Sequence, residues 1–337
     1  MFAFMKQSWK YSIFLLCMIS AACGNTDTGA DNPLFNRPPL KEVSAQIKED
    51  PDRADLYFNR GRMLDRMDED SLALIDYKKA VSLDSSRAEY FSAIGDVLFE
   101  HQDIKGSISW IERALKLDPK DPGAHLKMAK LFMYIQEYNS AFTEINTVLR
   151  QDVYNAEGYF LKGMIYKDMK DTVNARSSFQ TAVQVDPDYR DAIVQLGLLY
   201  SAQKDPLALK YFDNAYRLDT TDLFPLYARG VYYQNRGEYQ LAKDQYREVI
   251  VRDNQYTDAH YNTAYILMQQ DSIEKARRQY DLLTRIDPAD PEAYYNRGLC
   301  SELMGNKQEA LADYRQAVVF DKNYAEALQG IKRLEEK

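Results

Sequence analysis

Residues suited to acid-base, nucleophilic or metal-binding chemistry are few in this 337-residue chain: three histidines and three cysteines. Catalysis needs such groups held against one another, as a nucleophile beside a base. His125 and His260 instead stand 135 residues apart, at matching places in a 34-residue pattern where Tyr57, Phe91, Tyr159 and Tyr294 stand elsewhere. They read as packing substitutes for rings. His101 falls in a turn between helices and is expected at the surface. Cys17, Cys23 and Cys300 have no paired-Cys metal spacing, and neither HExxH nor GxxxxGK[ST] occurs. Cys300 lies on a helix face expected to be buried, as an inert thiol. Asp and Glu total 51, and without a pocket signal each reads as a solvated face. The expectation is a chain with no catalytic site, no metal and no cofactor.

The pattern that places these residues is a repeat. Asp50, Asp84, Asp118, Asp152, Asp186, Asp219, Asp253, Asp287 and Asp321 are spaced by 34, with one interval of 33. Eight units follow, at 54–87, 88–121, 122–155, 156–189, 190–222, 223–256, 257–290 and 291–324. Each predicts two helices and a turn, such as Gly305-Asn306 in the last unit. The eighth place is small: Gly61, Gly95, Ala129, Gly163, Gly197, Gly230, Ala264 and Gly298. A second small residue (Ala73, Ser107, Ala141, Ala175, Ala208, Ala242, Ala276, Ala310) starts the second helix, so the pair can approach closely. Four places on stands a bulky residue: Tyr77, Ile111, Ile145, Phe179, Phe212, Tyr246, Tyr280 or Tyr314. This one is expected to fill the gap between neighbouring units.

A fixed period of 34 is the helix-turn-helix solenoid value, and the register resembles the tetratricopeptide repeat family over 54–324. The resemblance implies an all-α, right-handed solenoid of about eight repeats. Leu40–Glu49, with Leu40, Val43 and Ile47 at helical spacing, predicts an N-terminal capping helix within 40–53. Residues 325–337 predict a C-terminal cap with Leu328, Ile331 and Leu334 inward. The one-residue-short turn Gln203–Pro206 in 190–222 is expected to kink the stack locally.

In such a solenoid the first helices line one side. Their fifth places include Phe160, Val194, Tyr227, Tyr261 and Tyr295; their ninth places include Tyr265; Asn262 and Asn296 occupy the sixth. One reading is a groove for an extended partner segment, with rings supplying contact area and Asn amides bonding the peptide backbone. The other is that these side chains pack against the next helix. The family's clamps for C-terminal carboxylates use Lys and Asn at the fifth and ninth places of one unit. No unit here has that pair.

The leader reads MFAFMKQSWKYSIFLLCMISAAC. Its Lys6 and Lys10, apolar run and small residues predict a signal peptide over 1–22. Ser20-Ala21-Ala22 before Cys23 resembles the lipobox of bacterial lipoproteins, with Ser20 where Leu is commonest. The resemblance implies lipidation at Cys23, an anchor in the bacterial envelope, and (with Gly24 rather than Asp next) the outer membrane. Residues 23–39, rich in Gly, Asn, Asp and Pro, read as a tether. A formal net charge of −8 argues against nucleic acid as a partner. The sequence therefore points to a membrane-anchored adaptor that binds envelope proteins. A glycan or peptidoglycan receptor using the same rings is the alternative, and homo-oligomers are open.

Overall fold

The computed structural model describes residues 32–336. The leader 1–22 and the lipidation candidate Cys23 lie outside the described residues. Among those described there are eighteen α-helices and no strand. They form two compact units, one ending at Pro119 and the other beginning at Lys120.

The first unit opens on a 3-10 turn, Pro33–Asn36, whose start Asn32 caps by accepting from Leu34 N at 2.9 Å. Then come α1 (Leu40–Glu49) and the pairs α2 (Ala54–Asp65)/α3 (Asp70–Leu83) and α4 (Ala88–Glu100)/α5 (Ile104–Leu117). The end of the expected tether is thus ordered. Phe35 is only 5% exposed, and its ring lies 3.9 Å under the Arg60 guanidinium. Arg60 in turn grips Asp76 with two bonds of 2.7 and 2.8 Å. Leu40, Val43 and Ile47 are buried along α1.

The second unit holds α6 (Pro122–Tyr134)/α7 (Tyr138–Gln151), α8 (Ala156–Asp168)/α9 (Thr172–Val185) and α10 (Arg190–Ala202)/α11 (Leu207–Leu218). It continues with α12 (Phe224–Asn235)/α13 (Tyr239–Arg252), α14 (Thr257–Gln269)/α15 (Ile273–Ile286), α16 (Pro291–Leu303)/α17 (Lys307–Phe320) and α18 (Ala325–Glu335). Each pair is antiparallel, and first helices of successive pairs also touch, as α10 does α12 and α16 does α18.

The repeating Asp has a local cause. Its own N–H closes the second helix onto the carbonyl four residues back, as Asp253 does to Val249 at 2.8 Å. Its carboxylate then accepts from the backbone N–H two residues on: Tyr154 to Asp152, Thr221 to Asp219, Gln255 to Asp253 and Asn323 to Asp321, each at 2.9 Å. One side chain thereby ends a helix and turns the chain.

The inter-helix turn is equally regular. The fifteenth residue of every unit has positive φ: Asp68, Gln102, Gln136, Lys170, Lys204, Gly237, Asp271 and Gly305. The next N–H reaches back five residues, as Glu137 to Phe132 O and Asn306 to Ser301 O at 2.8 Å, which is the Schellman closure. Only two of the eight are glycine, so this conformation left little mark on the sequence.

Packing extends one expectation. The bulky residue of the second helix packs against the next unit, as Tyr77 does with Ile94 and Phe179 with Leu196, and it also sits over the eighth-place glycine of its own unit. A Cβ added to Gly61 would lie 2.7 Å from the Tyr77 ring, one on Gly163 2.6 Å from Phe179, and one on Gly197 2.5 Å from Phe212. The missing side chain is the slot that the ring fills. In the second pair Ser107 donates to the Gly95 carbonyl at 2.7 Å, so the two small places do meet. The short turn in 190–222 is absorbed by α11, which has 12 residues where the other second helices have 14. Ala208 and Phe212 remain fully buried, so the pair keeps its core. In α18 the buried stripe is Ala327, Gly330 and Leu334, while Leu328 is 44% exposed. The close approach of Gly330 to the Tyr314 ring sets that rotation.

Candidate functional site

Two groups of polar residues prove structural. Asp76 and Asp313 are buried, against the expectation that the carboxylates are solvated. Arg60 holds Asp76, and Arg297 holds Asp313 at 2.6 and 2.9 Å while also reaching Asp281 at 2.8 Å. Both arginines occupy the seventh place of their units and both buried aspartates the twenty-third. The signal was present as Asn59-Arg60-Gly61 and Asn296-Arg297-Gly298. The histidines use the same position: His125 Nδ1 meets Glu144 Oε2 at 2.6 Å, and His260 Nδ1 meets Gln279 Oε1 at 3.1 Å. His260 is buried, with Nε2 on the Asn254 carbonyl at 3.1 Å. His101 is at the surface, 3.2 Å from Asp70. Burial fully covers Cys300 and pushes its thiol up to about 11.

The aromatic strip lies wholly within the second unit. Phe160, Tyr227, Tyr261 and Tyr295 are partly buried, and Tyr265 is 46% exposed. Val194 departs from the expected row. It is 9% exposed and packed with Ile193, Ala215 and Val183, because a β-branched side chain is too short to reach past its neighbours. A second column joins the strip from the last place of three units. Tyr189 lies 5.4 Å from Phe160, Tyr256 5.4 Å from Tyr227, and Tyr324 5.3 Å from Tyr295, centroid to centroid. In the unit of Tyr261, Asp290 takes that place and accepts from the Tyr261 hydroxyl. The recurrence of Tyr at that place is legible in the sequence; that it meets the fifth-place ring of its own unit's first helix is a matter of the fold.

Each fifth-place ring of the strip also rests on the ring below. Phe160 sits 5.8 Å from Phe179, Tyr227 5.8 Å from Tyr246, and Tyr295 5.6 Å from Tyr314. The strip is therefore pre-set, and a ligand would meet rings that have already lost their rotamer freedom. The two Asn amides are less available than the row alone suggests. Asn262 donates to the Tyr227 hydroxyl at 3.0 Å, and Asn296 to the Glu292 carbonyl at 2.9 Å. An amide carries two N–H donors and an acceptor oxygen, so each retains hydrogen-bonding capacity for a partner.

Electrostatics make these phenols donors, not bases. Burial, then the field of Asp258, pushes Tyr227 up to about 12. Burial, then Glu157 and Asp191, does the same to Tyr189. Burial and then Asp290 raise Tyr261, and burial and then Glu326 raise Tyr295. Protonated tyrosines beside carboxylates offer stacking faces and hydroxyls. No nucleophile-base pair is formed by the strip residues.

Tetratricopeptide repeat profiles match residues 54–87, 156–189, 227–291 and 291–329, together just over half of the chain. The chain belongs to the tetratricopeptide repeat family. The fold agrees with two solved tetratricopeptide repeat structures. One, from Parabacteroides merdae, has a TM-score of 0.52 at 14% identity over 74% of this chain and 98% of that one. The other, the C-terminal part of a protein from Cytophaga hutchinsonii, has a TM-score of 0.57 at 19% identity over 70% and 98%. Among curated proteins the chain is 24% identical to a DnaJ protein P58IPK homolog of Arabidopsis thaliana, over 82% of this chain and 57% of that protein. It is 26% identical to the human protein O-mannosyl-transferase TMTC3, over 74% and 28%. The tetratricopeptide chain thus spans little more than half of one relative and under a third of the other. Proteins of this family generally mediate protein-protein interactions and serve as non-catalytic scaffolds.

Proposed function

We propose that this protein is a non-catalytic, membrane-anchored adaptor of the bacterial cell envelope. It would bind extended segments of partner proteins on the strip Phe160, Tyr227, Tyr261, Tyr265 and Tyr295, with Tyr189, Tyr256 and Tyr324 added. The observation that carries the reading is the double column of pre-packed rings with accessible edges. A monomeric surface seldom keeps a contiguous apolar strip without a use for it. Anchoring through an acylated Cys23 rests on the leader alone, and several acyl chains are needed to hold a protein stably at a membrane.

Crosslinking followed by pull-down from whole envelopes tests the adaptor reading. Wild type recovers a discrete protein, and the Tyr261→Ala/Tyr295→Ala double variant does not. Recovery that is unchanged in the variant overturns the strip as the site. Retention on purified peptidoglycan without any recovered protein would transfer the same rings to a glycan ligand. Cys23→Ser abolishes membrane fractionation if lipidation is the anchor; a wild type that fractionates as soluble removes the anchor from the proposal.

A further inference from the structure

We propose that the C-terminal half of the strip, Tyr227, Tyr261, Tyr295 and Tyr324 with Asp258, Asp290 and Glu326 beside them, accepts an extended segment carrying lysine or arginine. This rests on the groove reading above and adds to it the charge of the partner.

The charge along this half has one sign. The second place of α14, α16 and α18 is Asp258, Glu292 and Glu326, and the place before α16 is Asp290. Each second-place acid faces the ring of the preceding first helix: the field of Asp258 acts on Tyr227 and Tyr256, that of Glu292 on Tyr261, and that of Glu326 on Tyr295 and Tyr324. Asp290 touches the Tyr261 hydroxyl directly. The nearby cations are committed elsewhere. Arg297 is held by Asp313 and Asp281, and Arg333 by both oxygens of Glu302 at 2.8 and 2.7 Å. Among the described residues Asp258 and Glu326 form no ion pair.

An acid in the first turn of a helix is favoured by the dipole, and that alone accounts for its residue type. It does not account for the lack of an ion pair at Asp258 and Glu326. Asp258 keeps a face to solvent but is crowded by protein on its other sides, and this desolvation lifts its carboxyl above the ordinary range. A carboxylate in that position gains from an arriving cation. Rings and acids side by side suit a lysine or arginine head, which is attracted by the ring face and by the carboxylate together. A segment with acidic side chains meets repulsion at every one of these places.

Selection of a random library of roughly twelve-residue peptides on the immobilised protein, counter-selected on the Tyr261→Ala/Tyr295→Ala variant, decides the matter. Tyrosine-dependent winners should carry more Lys and Arg than Asp and Glu. Their binding should weaken about fivefold in Asp258→Asn/Glu326→Gln and weaken again as salt rises. Circular dichroism of that variant confirms that it folds. Winners that need the tyrosines but are neutral or acidic overturn the charge assignment and leave the groove standing. An absence of tyrosine-dependent winners overturns both.

Discussion

Replacing the Asp76 carboxylate by leucine leaves the Arg60 guanidinium without its partner inside the first unit. The pair is bidentate at 2.7 and 2.8 Å, with side chains only 7% and 3% exposed. Ser44 at 3.4 Å and the Phe35 ring at 3.9 Å complete the cage. Neither offers a compensating negative charge. Breaking one side of such a buried pair costs about 3–5 kcal/mol, whereas replacing both partners by apolar groups of similar size is nearly neutral. Asp76→Leu is therefore expected to lose about 3–5 kcal/mol, and Arg60→Met/Asp76→Leu about 1 kcal/mol or less. Arg60→Met alone leaves a buried carboxyl that burial already holds above the ordinary range against the pull of Arg60. It can take up a proton, so its penalty should shrink as pH falls from neutral toward 5. The assay is urea unfolding followed by Trp110 fluorescence in a Trp9→Phe background, since the chain has two tryptophans and Trp110 lies in this unit, 5.7 Å from Phe91. A coupling energy below about 0.5 kcal/mol in the double-mutant cycle would mean the two residues act independently. The argument from burial would then be refuted.

Gly305, at φ +82 with nothing near a would-be Cβ, should lose about 1 kcal/mol on Gly305→Ala through backbone strain alone. Lys170→Gly, at φ +64, should unfold at a higher or equal urea midpoint, and the opposite order of the two would refute the turn assignment. Tyr227 and Tyr189 are pushed up to about 12 in the folded chain, against about 10 when unfolded. The stability tied to them is intact below pH 10 and lost as pH rises toward 12. Tyrosinate absorbance should accordingly lag in the native protein and jump on unfolding, while a native titration centred at 10 would contradict their burial. Cys300, fully buried with its thiol near 11, should be unreactive toward a disulfide reagent at pH 8 and react at once in denaturant.

The sequence by itself determined the architecture, because a period of 34 marked by Asp and small residues specifies each helix pair through contacts that are local in the chain. It also assigned His125 and His260 to a place in the repeat that aromatic rings hold in other units. The tertiary structure decided what those places touch. That Tyr77 and Phe179 cover glycines of their own units, and that Arg60 and Arg297 bury aspartates, depends on the rotation of one helix against the next, which composition does not encode. The same holds for the strip. Tyr189, Tyr256 and Tyr324 close the units that Phe160, Tyr227 and Tyr295 open, and they are brought back to those rings only when the second helix folds against the first. A repeat writes its backbone into the sequence many times over, but which of its side chains meet to form a surface for a partner is set by how the helices pack.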